Sequence, residues 1–112
     1  MACTLLAQPP SPPDGLNAIA YEAHIELRWQ ASTDPDVGSY QIFRSEDGGQ
    51  NYSLLQTVNK ANTLAVDWTA DEGANISRHY RLKAVKNNGL TSDFSTAVQA
   101  QTQAMSDEAL LE

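Results

Sequence analysis

The chain has 112 residues, enough for one domain of common size with a core of its own. Fourteen acidic residues against seven basic ones give a net charge of −7, the wrong sign for tracking a phosphate backbone or an anionic lipid surface, so nucleic acid is set aside as a partner. Cys3 is the single cysteine, which excludes a disulfide within the chain, and no run approaches the roughly 20 apolar residues of a membrane-spanning helix.

Residues 1–13 read as a leader remnant followed by a spacer. In Gln8-Pro9-Pro10-Ser11-Pro12-Pro13 four of six residues are proline, which lacks the N–H a sheet ladder uses and holds a chain extended. Cys3, ahead of that spacer, is a candidate for lipid attachment, as in a lipoprotein whose leader is missing. The alternative is a small residue at the end of an ordinary cleaved leader. A single acyl chain would anchor only weakly.

From Asp14 onward, short alternating segments recur, each closed by turn residues, and the folded domain is expected over residues 14–102. Strands are predicted near Leu16–Tyr21, His24–Gln30, Ser39–Ser45, Tyr52–Val58, Thr63–Trp68, His79–Lys86 and Ser95–Gln101. Between them lie Asp34-Pro35-Asp36, Glu46-Asp47-Gly48-Gly49, Asp71-Glu72-Gly73 and Asn87-Asn88-Gly89, residues that tolerate tight or left-handed turns. Seven strands at this spacing point to an all-β sandwich. Period-two alternation nominates Leu16, Ile25, Leu27, Trp29, Tyr40, Ile42, Leu82, Ala84 and Val98 for the core, joined by Leu64 and Val66 from the fifth strand. Tyr80 is expected partly buried, its hydroxyl seeking a partner. After residue 102 the pattern changes: Ser106 is placed to cap a helix with acids in its first turn and leucines after them, so 103–112 read as a tail leading towards a further domain.

No residue set assembles a catalytic centre. His24 and His79 lack a second histidine or a cysteine at ligand spacing, and no metal site is predicted. Asp34 and Asp36 read as turn formers rather than calcium ligands. There is no Gly-x-Ser-x-Gly elbow, and Gly48-Gly49 precedes a strand rather than a phosphate-binding helix. No cofactor is implied, and the chain is expected not to be an enzyme. Phe43, Tyr52 and Trp68 are candidate ligand-contacting aromatics, because strand parity does not settle their faces and a row of rings can stack on sugar. Their ordinary role would be to fill a second core layer.

From Pro12 to Thr102 the chain resembles a fibronectin type III domain of the bacterial extracellular kind. The resemblance rests on Pro12-Pro13-Asp14-Gly15-Leu16, on Ile25-Glu26-Leu27-Arg28-Trp29, on the stretch from Asp34 to Gly49 that includes Tyr40-Gln41-Ile42-Phe43-Arg44, and on Tyr80-Arg81-Leu82-Lys83-Ala84-Val85 with the loop to Ser92. It implies a seven-stranded, immunoglobulin-like Greek-key β-sandwich without disulfides. It also implies a corner tyrosine two positions before Tyr80, where this chain has Arg78. Either Ile76 fills that corner or the register between Gly73 and His79 is shifted. The Asn87–Leu90 loop carries no Arg-Gly-Asp, so adhesion through that motif does not carry over. The tail Ser106-Asp107-Glu108-Ala109-Leu110-Leu111 is weakly similar to the opening of the helical domain in secreted glucoamylase-like glycoside hydrolases.

The expected function is a monomeric, non-catalytic accessory module of a secreted or cell-surface bacterial protein, one acting on polysaccharide. It would space, orient or stabilise a neighbouring domain, in the fullest version a glycoside hydrolase. The competing expectation is a module that grips glycan or protein through exposed aromatics or loops.

Overall fold

A computed structural model describes residues 8–103; Cys3 and the capped tail from Ser106 lie outside the described residues. Seven strands follow one another as β1 (Asn17–Ala20), β2 (His24–Arg28), β3 (Val37–Ser45), β4 (Ser53–Asn59), β5 (Leu64–Trp68), β6 (Ser77–Lys86) and β7 (Val98–Gln101). They form two antiparallel sheets in the orders β1-β2-β5 and β4-β3-β6-β7, an immunoglobulin-like sandwich. The alternation in β2, β3 and β6 drives it. Ile25, Leu27, Trp29, Tyr40, Ile42, Tyr80, Leu82 and Ala84 are all buried between the sheets, with Leu16 and Val98 packed against them. Tyr80 is fully rather than partly buried.

The expectation for β5 is overturned. Leu64 is exposed and Val66 only half-buried, whereas Ala65 and Asp67 face the core. Pairing with β2 dictates this: Leu27 opposes Ala65 and Ile25 opposes Asp67, and opposed residues share a face. Because Ile25 and Leu27 point inward, Leu64, Val66 and Trp68 must point out.

Strand β7 is also shorter than its apolar pattern suggests. Ser92 and Ser95 each accept the amide of a β6 residue through the hydroxyl, Ala84 N at 2.8 Å and Leu82 N at 2.9 Å. Their own amides donate to Ala84 O and Leu82 O. Side-chain oxygens therefore take acceptor places a strand backbone would fill, and the regular ladder starts only at Val98.

Corner tethering falls to Tyr80 itself, not to position 78. Its hydroxyl donates to Asp67 Oδ2 at 2.6 Å, joining β6 to β5 across the sandwich. Arg78 instead bonds Glu72 within the β5–β6 connection, and the Ile76 amide donates to Thr102 Oγ1 at 2.7 Å. Ile76 is half-buried.

The two ends of the sandwich are distinct. The chain enters beside Gln30, whose amide donates to Asp14 O at 2.9 Å, and Pro10 and Pro13 are buried against the body. It leaves beside the β1–β2 turn, where Gln103 N donates to Tyr21 O at 3.0 Å. β2 and the two residues after it lie between these points, about 20 Å for the six steps from His24 to Gln30.

Candidate functional site

Two aromatic groups occupy opposite outer faces of the sandwich. On the four-stranded sheet, Phe43 (β3) meets Phe94 edge-on at 5.0 Å between centroids, and Tyr52 stands 6.4 Å from Phe94. The Arg81 guanidinium lies 3.5 Å from the Phe94 centroid and 3.8 Å from that of Tyr52, while the Lys83 ammonium stands 4.4 Å over Phe94. Opposed residues explain the arrangement, since Phe43 pairs with Arg81 and Gln41 with Lys83 on one outward face. Phe43 and Tyr52 are half-buried, and cations already lie over these rings. The sequence offered no signal for Phe94, which sits in the irregular segment before β7.

Trp68 belongs elsewhere, on the outer face of the three-stranded sheet. It is 68% exposed. His24, its cross-strand partner, lies 4.9 Å from it between ring centroids, and Tyr21 stacks on His24 at 4.5 Å with 14° between planes. Phe43, Tyr52 and Trp68 therefore do not make one row; Tyr21, His24 and Trp68 do. The row was not apparent in the sequence because His24 reads as an outward polar residue and Tyr21 as a strand end. A shallow cleft of ≈ 420 Å³ opens beside it, lined by Tyr21, Glu22, Ala23, His24 and Gln103.

Beneath the same end lies a buried ionic group. Asp67, 4% exposed, accepts from Tyr80 on one oxygen and from Arg44 Nη1 at 3.0 Å on the other. Arg44 also approaches Glu46 at 3.7 Å, and Arg78 reaches Glu46 at 3.1 Å as well as Glu72. Burial first, and then the hydrogen bond to Asp67, push the Tyr80 phenol well above its ordinary pKa. A raised folded-state value stabilises fully below the unfolded phenol's pKa of about 10 and is lost progressively as pH rises beyond it. Urea unfolding at stepped pH should therefore show the midpoint falling above about pH 10, and falling less steeply in Tyr80→Phe. Parallel slopes would contradict the tie to Asp67.

Other polar candidates serve turns. Asp34 Oδ1 accepts from Asp36 N at 2.9 Å and Oδ2 lies 3.6 Å from Lys86 Nζ. Asp47 accepts from the Ser45 hydroxyl and then from Asn51, bonds that hold its carboxyl well below the usual range and shape the β3–β4 turn. His79 lies beside the Gly49 turn. Among the described residues, no three of His, Cys, Asp and Glu converge as a metal site would require.

No family model matches the chain. An exo β-1,2-glucooligosaccharide sophorohydrolase (non-reducing end) of Parabacteroides distasonis is 32% identical over 95 residues, covering 85% of this chain and 13% of that protein. The crystal structure of a β-1,2-glucanase from Parabacteroides distasonis superimposes with a TM-score of 0.75 at 30% identity, over 94% of this chain and 15% of that one. A Fn3-like protein from Clostridium thermocellum gives a TM-score of 0.70 at 25% identity, over 88% of this chain and 99% of its own. The chain thus spans a small part of the two glucan-acting proteins and matches the third almost end to end.

Proposed function

We propose, from the premise that this chain is a fibronectin type III domain, that it is a non-catalytic accessory module of a longer bacterial protein that degrades polysaccharide. Its work is to space, orient or stabilise the neighbouring domain. The observation that supports this reading is the 13% share: the chain is alike over most of its own length to a small portion of a glucan-hydrolysing protein, as an appended domain would be. Geometry supports it, since entry and exit lie at different ends of a sandwich braced by a buried ionic group. Secretion or display at the cell surface belongs to the same proposal, with Cys3 as the lipid attachment point in its surface version. Among the described residues no helix is long and apolar enough to cross a membrane.

Deleting residues 14–103 from the full-length protein tests the reading. The turnover of a soluble β-1,2-linked gluco-oligosaccharide should stay within about threefold, under about 0.7 kcal/mol of barrier, while thermal inactivation comes earlier. A hundredfold fall in kcat, on the order of 3 kcal/mol, in a variant whose remaining domains stay folded would place reacting groups in this chain and end the proposal.

Exposed Trp68 favours a second reading, a glycan-binding module in which a pyranose ring stacks on the free indole face. Affinity electrophoresis in β-glucan gels distinguishes it: retardation that Trp68→Ala abolishes supports binding, and unretarded migration removes it.

A further inference from the structure

We propose that the outer face of the three-stranded sheet is a docking surface for the domain that follows Gln103 in the full-length protein, an occupant with an apolar contact face. The inference rests on the accessory-module reading and deepens it.

Strand β5 carries the argument. Its apolar residues Leu64, Val66 and Trp68 point outward, Leu64 and Trp68 exposed and Val66 half-buried, while Asp67 faces the core. Sliding β5 by one residue would exchange the two faces, burying the apolar set and releasing the carboxylate to solvent. The observed register forgoes that burial and needs Arg44 and Tyr80 to satisfy a charge inside the sandwich. Such an arrangement makes physical sense when the outward face is itself covered in the working protein. Leu64 to Trp68 covers about 13 Å along the strand. Tyr21 and His24 extend the surface past the Trp68 end of β5, and Arg28 and Glu26, opposite Leu64 and Val66, pair at 2.6 Å and offset each other's charge.

The occupant follows from where the chain leaves. Gln103 is pinned to the row, its amide on Tyr21 O and its side-chain Nε2 on Ala20 O at 3.2 Å. A second shallow cleft, ≈ 250 Å³, is lined by Ala23, Ala70, Gly73, Ala74, Glu22 and Gln103, so the exit lies between two small, largely apolar recesses. The proline-rich entry cannot reach this surface readily, because Ser11–Asp14 line clefts at the other end with Gln30–Thr33. With 85% or more of each glucan-acting relative lying outside the matched part, most of such a protein is available to be that neighbour. Interfaces between domains of one chain commonly bury 600–1,500 Å².

The test uses the full-length protein with Trp68→Glu and, as control, Leu54→Glu on the other sheet, where Leu54 is 51% exposed. Cleavage between residues 104 and 112 by a glutamate-specific protease, and the maximum dimension from small-angle scattering, are read together. Trp68→Glu should speed cleavage about tenfold or more, following the population of undocked molecules, and enlarge the particle. Leu54→Glu should leave both unchanged. Equal behaviour of both variants and the parent overturns docking. So does a Trp68→Glu protein that loses only retention on insoluble glucan, since the occupant is then sugar, or one that merely turns a dimer into a monomer, since it is then a second copy. None of these results alters the kinetics of the deletion variant, which alone judges the accessory reading.

Discussion

Asp67→Ala is expected to destabilise the domain by about 3–5 kcal/mol, as removal of one partner from a buried ion pair does. The carboxylate is nearly sealed from water and joins β5 to both β6, through Tyr80, and β3, through Arg44. Without it the Tyr80 hydroxyl loses its acceptor Asp67, and the Arg44 guanidinium is left with the more distant Glu46, at 3.7 Å. Asp67→Asn should cost less, because an amide oxygen still accepts from Tyr80 while the charge facing Arg44 is gone. The urea midpoint, read with the slope held constant, checks the order alanine below asparagine below parent. A shift under about 1 kcal/mol for alanine would mean that solvent reaches Asp67 and that the network is a surface feature.

Trp29→Ala should have a loss of similar size, about 3–5 kcal/mol, because it empties the largest volume in the core. Trp29 is 5% exposed and meets Tyr40 edge-on at 5.6 Å, while the Tyr40 hydroxyl accepts from Ser32 N at 2.7 Å and fixes the β2–β3 connection. Its indole Nε1 is buried and meets no acceptor among the described residues, so packing holds the ring. Trp29→Phe keeps an aromatic edge on Tyr40 and removes the unpartnered donor. It should therefore cost well under half as much, about 1–2 kcal/mol. Equal losses for both substitutions would show that the indole nitrogen has a partner after all. Either alanine change takes a large share of the roughly 5–15 kcal/mol that holds a domain together.

Period-two alternation made most of the sandwich legible from residue order. His24 to Trp29 and Tyr80 to Ala84 each put apolar groups on one face and polar groups on the other, and both strands lie with those apolar groups inward. The same rule failed on Leu64-Ala65-Val66-Asp67-Trp68, because alternation says which residues share a face and not which face points in. Only the pairing with β2 and the presence of Arg44 and Tyr80 opposite Asp67 decide that, and both are contacts between distant parts of the chain. The places of Phe94 and of the Ser92 and Ser95 hydroxyls are not written in local sequence for a related reason. Their positions follow from side-chain bonds to β6 rather than from any periodicity. The Tyr21–His24–Trp68 row arises from three strand ends brought together by register, so no local window of sequence contains it.

A spacer must hold its two ends apart, and the separation of entry from exit measures this most directly. Spin labels at Asp14→Cys and Gln103→Cys, in a Cys3→Ser background, report the distance by pulsed electron resonance. The account predicts one narrow distribution at about 20 Å or more, set by the rise of the extended run from His24 to Gln30. A distribution centred below about 15 Å would contradict it, since an extended run of six steps holds its ends about 20 Å apart.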